Sequence, residues 1–364
     1  MERFNRHMMV IARDSRGMTQ SDLANSLGIQ QGTVSKYEGG LIEPPSDFLE
    51  DVSMVLGFLP TFFFEAGRPY GMPPFHFRKR KKLSAKALSK IVAEMNIRRM
   101  HISALLQSFE LKTNSFIPEI DRHAYLGRSR SAFSVEDVAR HMREHWMLPS
   151  GPIDSMIDVI EGAGGIVVPC DFGTDLIDAM SQRIDGLPVL FFVNAHIPAD
   201  RARHTLAHEL GHMLLHTREI MTDETMEDEA DEFAGAFLLP ATEIRPQLRQ
   251  FNLRQLANMK SYWKVSMAAI AVRASRLNLI TPHQSKMFWI EMSRLGYRKR
   301  EPNEPSPEVP FLFNRILKFH LGPLGYSVAE LSKILHLRHP NFLTMYGEIL
   351  GSSTSEQPRL RVVK

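Results

Sequence analysis

The sequence predicts a mainly α-helical protein with a small β-sheet, and three observations lead to this fold class. Apolar residues recur at helical spacing through most of the chain. Two short runs in the middle, GGIVVP at 164–169 and LPVLFFVN at 187–194, are strand-like instead, because they are apolar and rich in Val, Ile or Phe. Prolines break the pattern twice, at 69–74 and at 297–310, which divides the chain into parts.

The domain organisation follows from the length and from these breaks. A chain of 364 residues exceeds one ordinary hydrophobic core. We therefore predict a five-helix domain at residues 1–68, a basic linker with connecting helices at 69–149, an α+β domain at 150–296, and a proline-rich linker with a helical C-terminal region at 297–364.

Composition and charge narrow the class of protein. A hydrophobic content of 43% and a charged content of 23% are typical of globular domains. The net charge of +3 is mild, but FRKRKK at 77–82 is strongly basic and TDETMEDEADE at 222–232 is strongly acidic. The first segment suits polyanions and the second suits cations. The basic run is either a solvated face or a non-specific grip on phosphates, and the sequence leaves both open.

The single cysteine, Cys170, excludes an intrachain disulfide framework and a zinc module built on four thiolates. We expect it to be buried rather than reactive. No stretch has the apolar length of a membrane span, and the first residues lack the apolar core of a signal peptide. A cytoplasmic protein without a membrane partner is the simplest expectation.

The N-terminal stretch TQSDLANSLGIQQGTVSKYEGG, at 19–40, has apolar residues spaced for two short helices around a turn. Thr19 would cap the first helix, Ala24 is small enough for a close crossing, and Gly28 permits the turn. The second helix would begin near Gln30. The pattern predicts a helix-turn-helix, although a small helical domain with a solvated polar face is the alternative.

The second helix and the start of the first offer polar side chains that can hydrogen-bond base edges and phosphates. The predicted DNA-contacting residues are Gln20, Gln30, Gln31, Thr33, Ser35 and Lys36. Over residues 4–64 the pattern resembles the Xre/Cro family of phage-repressor-like DNA-binding domains. This resemblance implies an operator of double-stranded DNA and pairing of two copies as a homodimer.

In the middle of the chain, HTLAHELGHMLLH at 204–216 contains His-Glu-x-x-His. On a helix beginning near Ala199, His208 and His212 lie one turn apart and can share one zinc ion. Glu209 would stand beside the open coordination position, where it can move a proton from a water to a leaving amine. Five residues alone can occur by chance, but the apolar neighbours and the preceding strand favour a buried metal helix.

A third ligand is needed, and MEDEADEFAGAFLLP at 226–240 can supply it. Glu227 shares a helix face with small and apolar residues, so an inward carboxylate there implies a cation. Asp231, one turn on, could orient a liganding histidine from behind. Glu229 points about 200° away from Glu227, at roughly 100° per residue. We therefore expect Glu229 to lie on the solvated face, together with Asp228 and Glu232.

RARHTLAHELGHMLLH and EDEADEFAGAFLLP together resemble the ImmA/IrrE family of metallopeptidases over residues 150–290. The resemblance implies a zincin-like domain in which His208, His212 and Glu227 hold the metal and Glu209 is the base. Ligand type favours zinc, with manganese as the other candidate. His204 replaces the aromatic residue common in the family, which favours a packing role, whereas His216 has either a packing or a substrate-side role.

Four residues are candidates for the donor that stabilises an oxyanion, and the sequence does not choose among His196, His204, His216 and Tyr262. Elsewhere, SVEDVARHMREHW predicts a helix capped by Ser134, with Asp137 three residues on. Near the C-terminus, YSVAELSKILHL at 326–337 echoes MTQSDLANSLGI at 18–29. Because His336 stands where the turn glycine should be, we do not predict a second helix-turn-helix.

Two functional hypotheses follow from this combination. The first is a DNA-binding regulator whose zinc-dependent endopeptidase domain cleaves a repressor-type protein or an antitoxin, in a stress, phage or toxin-antitoxin response. The second is an Xre-type transcription factor whose peptidase-like domain senses a ligand or mediates dimerisation without proteolysis. The intact Glu209 favours the first, because a domain that has lost proteolysis has no need of a base that is not a ligand.

Overall fold

The computed structural model describes residues 3–66, 69–70, 83–109, 111, 116–121, 134–216 and 222–351. These residues form a mostly helical chain with a small three-stranded sheet, which confirms the predicted fold class. The chain divides into two compact units. The first contains Met1–Gly71, Ala85–Glu110 and Asn314–Lys364, and the second contains Met72–Ser84 and Leu111–Phe313. Within the described ranges, no helix is long and apolar enough to cross a membrane.

The first unit begins with a compact helical domain. Its helices are α1 (Arg6–Ser15), α2 (Gln20–Leu27), α3 (Gln31–Glu38), α4 (Ser46–Leu56) and a 3-10 helix (Pro60–Phe64), followed by the long α5 (Ala85–Leu106). α1 packs against α3, α5 and the 3-10 helix, and α2 packs against α3 and α4. The core is apolar, and its fully buried members include Met8, Met9, Leu23, Val34, Val52 and Phe63.

The turn between α2 and α3 forms as the sequence predicts. The hydroxyl of Thr19 accepts a hydrogen bond from the backbone N–H of Asp22 at 3.1 Å, and the Asp22 carboxylate accepts one from the N–H of Thr19 at 2.8 Å. Gly28 ends α2 in the left-handed conformation, with φ of 66°, which glycine adopts without steric strain. Gln30 is the N-cap residue of α3.

The second unit is built around a three-stranded sheet. α6 (Val135–His145) and α7 (Met156–Gly162) precede β1 (Ile166–Cys170), β2 (Ala179–Gln182) and β3 (Leu190–Asn194). The strand order is β1-β3-β2, with β1 parallel and β2 antiparallel to the central β3. The sequence predicts β1, β3 and the cap of α6, where Ser134 accepts from the N–H of Asp137 at 3.3 Å. It misses β2.

The motif helix α8 (Ala199–Leu215) begins where it is predicted and packs on β2, β3 and α9 (Asp223–Leu238). Gly211 allows the two helices to approach closely. A Cβ at Gly211 would lie 3.2 Å from the Cβ of Phe233 and 3.3 Å from the Cα of Ala230. α9 also packs on α6, so the acidic stretch lies inside the unit rather than on a free surface.

Four further helices complete the second unit: α10 (Ala241–Gln247), α11 (Leu253–Trp263), α12 (Met267–Arg276) and α13 (Pro282–Arg294). The proline-rich stretch that follows is not helical and is held by carboxylates. Glu301 accepts from the N–H groups of Met267 and Ala268, at the start of α12, and pairs with the buried Lys260 at 3.0 Å. Glu308 pairs with the buried Arg203 of α8.

The C-terminal helices are α14 (Leu312–Leu321), α15 (Val328–Ile334) and α16 (His339–Gly351), and from Asn314 onward they belong to the first unit. α15 and α16 are joined by a turn in which His336 has φ of 52°. A turn therefore forms at His336, although the sequence does not predict a second helix-turn-helix there. Its left-handed backbone is strained by about 1–2 kcal/mol, but its ring lies 2.9 Å from Glu65 and 2.8 Å from Thr61, and these contacts hold it.

Candidate functional site

The three predicted metal ligands converge at the contact of α8 and α9. The Nε2 atoms of His208 and His212 are 3.1 Å apart. A carboxylate oxygen of Glu227 lies 3.3 Å from Nε2 of His212, and the other lies 3.7 Å from Nε2 of His208. The two histidines are buried and Glu227 is half-buried, so the three side chains form a small polar centre inside the unit.

These distances fit a divalent metal of the zinc type. Four ligands at 2.0–2.1 Å around a tetrahedral ion lie about 3.3 Å from one another, close to the three separations observed. Within the described residues, Oε1 of Glu227 is buried and accepts no hydrogen bond, which is costly for a carboxylate without a cation. Two imidazoles and one carboxylate would leave a fourth position open, as in catalytic rather than structural zinc sites.

Glu209, the predicted base, is completely buried next to this centre, and Ser181 donates a hydrogen bond to its Oε2 at 2.7 Å. Ser181 belongs to β2, the strand that the sequence analysis misses. This hydrogen bond orients the carboxylate while it remains outside the trio of ligands. The only signal in the sequence is a short run, AMSQ, whose pairing with β3 depends on residues far along the chain.

The predicted contact behind His208 is present in the structure. Nδ1 of His208 lies 2.7 Å from Oδ1 of Asp231, so the carboxylate fixes the ring with Nε2 toward the metal position. Burial alone would raise the pKa of Asp231, but its hydrogen bond to His208 and the charges of His208, His204 and Arg276 hold that pKa below its usual value. The carboxylate therefore stays ionised.

The contact behind His212 runs through a second imidazole, that of His216. Nδ1 of His212 lies 2.9 Å from Nδ1 of His216, whose Nε2 lies 3.0 Å from Oε2 of Glu229. The prediction that Glu229 faces solvent is wrong, since its side chain is only 17% exposed. The helical angle is as expected, but the end of α8 covers that side of α9. Of the other two acids, Asp228 is exposed and Glu232 is half-buried.

The four candidates for an oxyanion donor occupy different environments. His196 and Tyr262 are exposed and engaged elsewhere, His196 at 3.7 Å from Asp171 and Tyr262 against the ring of Trp263. His216 is buried behind His212. His204 is half-buried one turn before His208, and burial lowers the pKa of its imidazole, which keeps it neutral.

The predicted DNA-contacting residues lie around the start of α3. Gln30, Gln31, Ser35 and Lys36 are exposed, whereas Thr33 and Gln20 are half-buried. Gln20 donates to Glu38 at 2.8 Å and accepts from Gln31 at 2.7 Å, and Glu38 is fixed by the buried Arg13. Gln20, itself held by Glu38, therefore positions the side chain of Gln31 through this hydrogen bond. The basic run at 78–82, the other candidate for phosphate contacts, lies outside the described residues.

The fold and the side chains together define a helix-turn-helix domain joined to an α+β domain with a metal-type centre, and comparisons with known proteins identify both parts. Residues 11–63 match a helix-turn-helix family model, and residues 163–275 match the IrrE N-terminal-like domain of peptidase family M78. Residues 11–63 are therefore similar to Xre-type DNA-binding domains and residues 163–275 to IrrE/ImmA-like domains, which supports a DNA-binding regulator with a peptidase-like domain.

One solved structure, described as a Mycobacterium tuberculosis transcriptional regulator, matches 45% of this chain at 18% identity with a TM-score of 0.32. The match spans 53% of that regulator, about half of its length. No curated protein matches the chain.

Proposed function

We propose that this protein is a DNA-binding regulator whose IrrE-like domain is a metal-dependent endopeptidase that cuts a repressor-type protein. The observation that carries the proposal is Glu209. A sensor domain needs the metal ligands at most, whereas Glu209 is a buried carboxylate that lies outside the converging trio and accepts a hydrogen bond from Ser181. A carboxylate adjacent in sequence to a metal ligand, held by a hydrogen bond, is the arrangement expected of a general base.

Each residue of the centre has a distinct role in this proposal. His208, His212 and Glu227 hold the metal, with zinc favoured by the two imidazoles. A bound divalent metal polarises the scissile carbonyl and makes the attacking water more acidic. Glu209 takes the proton of that water and passes it to the leaving amine. Ser181 holds the Glu209 carboxylate in place through its hydrogen bond, and Asp231 holds the ring of His208.

The DNA-binding part of the proposal rests on α3. Its exposed Gln30, Gln31, Ser35 and Lys36 contact an operator, and the protein acts on it as a homodimer. Binding the operator brings the peptidase domain near other DNA-bound proteins, which makes a repressor or antitoxin the favoured substrate.

A specific observation supports the second candidate, a sensor domain. A cavity of about 370 Å³ in the second unit is lined by His204, Asp231, Lys260 and Arg300, among others. Asp231 also holds the ring of His208, so a small molecule that binds in this cavity and contacts Asp231 would alter the position of a metal ligand. In this reading the ligand changes operator binding and no peptide bond is cut.

The test is a comparison of wild type with Glu209→Gln, which keeps the shape of the side chain and removes the base. Both proteins, loaded with zinc, are incubated with a peptide library made from a bacterial proteome, and new termini are identified by mass spectrometry. The proposal expects termini with wild type only, at equal metal content. Equal or absent cleavage with both proteins, together with operator binding that responds to a small molecule, would instead support the sensor.

A further inference from the structure

We infer that His216 and Glu229 form a positioning relay that fixes the orientation of the imidazole ring of the metal ligand His212. The inference rests on the proposed metal centre and extends it to two residues outside the ligand set. It also explains why Glu229, on the opposite side of α9 from Glu227, is half-buried in contact with His216.

One assignment of protons satisfies this set of contacts together with a metal. A metal on Nε2 of His212 takes the lone pair of that nitrogen, so the proton of this neutral imidazole lies on Nδ1. Nδ1 of His212 then donates to Nδ1 of His216, 2.9 Å away. Nε2 of His216 carries the proton of the second ring and donates it to the carboxylate of Glu229 at 3.0 Å.

The relay is dry and well supported. The side chain of His216 has no exposed surface, and that of Glu229 is 17% exposed. Water is therefore excluded from His216 and competes poorly for its hydrogen bond to His212. Asp231 holds the ring of the other ligand, His208, without an intervening residue, since its Oδ1 lies 2.7 Å from Nδ1 of His208. The two ligand histidines are thus held by two carboxylates of one helix, one directly and one through an intervening imidazole.

The relay should make zinc binding tighter in the wild type than in variants that lack His216 or Glu229. Groups that orient liganding histidines typically change metal affinity by about 10–100-fold. We therefore expect Glu229→Ala and His216→Leu each to weaken zinc binding by roughly that factor. Glu229→Gln should lose much less, because its amide oxygen still accepts from Nε2 of His216. Asp231→Asn serves as the reference for a ligand that is held directly.

The experiment measures zinc dissociation constants by competition with a chromophoric chelator and records the absorption spectra of the cobalt-substituted proteins. His320→Leu is the matched control, since His320 is a buried imidazole bonded to the carbonyl of Ile316 within α14. The inference expects weaker binding and a changed cobalt spectrum for Glu229→Ala, near recovery for Glu229→Gln, and no change for His320→Leu.

Zinc affinities within twofold of wild type for folded Glu229→Ala and His216→Leu would overturn the relay. Because the readout is metal affinity, the relay can stand even when no peptide is cut, and proteolysis can be present when the relay fails. A wild type that binds neither metal would overturn the relay and the metal centre together.

An independent set of contacts supports a second inference: the structure assigns to α15 and α16 a second helix-turn-helix, which docks on the end of α4 instead of on DNA. Ser327 and Glu330 form the same reciprocal cap as Thr19 and Asp22, with hydrogen bonds of 3.2 and 2.8 Å. His336 takes the left-handed position of Gly28. The echo in the sequence is therefore a repeat of the whole motif.

The second motif is docked on the end of α4. Phe58 and Leu337 form an antiparallel backbone bridge, and the N–H of Leu59 donates to the carbonyl of His336 at 2.8 Å. The guanidinium of Arg338 donates to the carbonyl and hydroxyl of Ser53, both at 3.1 Å. These contacts join the second motif to α4 within the first unit.

This docking uses the face that reads DNA in the first motif. Arg338 and Asn341 occupy the positions of Gln30 and Thr33, and they contact Ser53 and Gly57. The second motif therefore uses this face to bind the end of α4 rather than DNA.

Two left-handed glycines provide a matched test of the docking. A Cβ added at Gly57 would lie 2.2 Å from the amide of Asn341, whereas one added at Gly28 meets nothing within 4 Å. Both substitutions to alanine carry the same backbone strain. We expect Gly57→Ala to lower the melting midpoint roughly 5 °C further than Gly28→Ala and to speed hydrogen exchange at the amide of Leu59. Adding Asn341→Gly should reverse both effects, and equal melting of the two alanine variants would refute the docking.

The role in DNA binding is tested with a charge placed at equivalent positions, Lys36→Glu in α3 and Thr344→Glu in α16. The probe is a mixed-sequence duplex at low salt, followed by fluorescence anisotropy. The inference expects Lys36→Glu to weaken binding at least tenfold and Thr344→Glu to leave it unchanged. Comparable weakening by both would show that the second motif also reads DNA.

Discussion

The close contact of α8 and α9 makes Gly211→Ala the most informative substitution for the architecture of the metal centre. The new Cβ would lie 3.1 Å from Cδ1 and 3.2 Å from Cβ of Phe233, and 3.3 Å from the Cα of Ala230. The last of these is backbone, so the helices can accommodate the methyl group only by separating by a few tenths of an ångström.

Two opposing effects set the size of the change in stability. Alanine is favoured over glycine within a helix by about 1 kcal/mol. Overpacking of a tight contact costs about 1–3 kcal/mol. We therefore expect Gly211→Ala to lower the free energy of unfolding by up to roughly 2 kcal/mol. Gly235→Ala, on α9, is the matched control, because its new Cβ meets only Cδ of Arg273 at 3.5 Å. It should gain about 1 kcal/mol from helix propensity.

The same separation moves Glu227 away from the two histidines of α8. Metal sites tolerate deviations of about 0.2 Å in ligand distance, so Gly211→Ala should also weaken zinc binding while Gly235→Ala leaves it unchanged. Urea unfolding followed by circular dichroism and chelator competition measure the two effects. If both variants are stabilised alike and bind zinc as the wild type does, the close approach of the helices is not what sets the geometry of the centre.

Three further predictions concern single side chains. Burial raises the pKa of Glu161 to about 7. The protonated form is favoured on folding, so the free energy of unfolding should fall by roughly 3 kcal/mol between pH 4.5 and 7, and Glu161→Gln should flatten this slope in urea titrations. Burial lowers the pKa of His101 to about 3, so stability should fall as pH drops below 6.5, by about 2 kcal/mol at pH 5. Its replacement by Gln should remove that loss. Ser181→Ala should lower kcat at least tenfold with zinc content unchanged, since a charge-assisted hydrogen bond contributes about 1.5–3 kcal/mol. An unchanged kcat would show that Ser181 does not orient Glu209.

Local chemistry in the sequence accounts for most of the fold and for the ligand trio. Thr19 and Gly28 define the first turn because a capping hydroxyl and a positive φ are local requirements. The spacing of His208 and His212 places both rings on one side of α8, and the apolar neighbours of Glu227 turn it inward. Each of these inferences depends on neighbours within a turn or two of the same helix.

The features that the sequence does not predict share a different cause: they depend on contacts between segments that are far apart in the chain. β2 is four residues long and forms only by pairing with β3, so Ser181 has no local signature. Glu229 lies at the helical angle that its spacing from Glu227 predicts, but His216 at the end of α8 covers that side of α9. The turn at His336 is not predictable from its neighbours in the chain. The contacts that offset its backbone strain come from Glu65 and Thr61, which are far away in sequence.

The central claim, that His208, His212 and Glu227 form a metal centre served by Glu209, is tested most directly by metal content. Mass spectrometry would be applied to purified wild type, His208→Ala, Glu227→Ala and Glu209→Gln, each supplied with zinc and kept free of chelator. A single three-ligand site predicts about one zinc per chain in wild type and in Glu209→Gln, and loss of zinc from both ligand variants. Wild type without metal, or Glu227→Ala with full zinc, would contradict it.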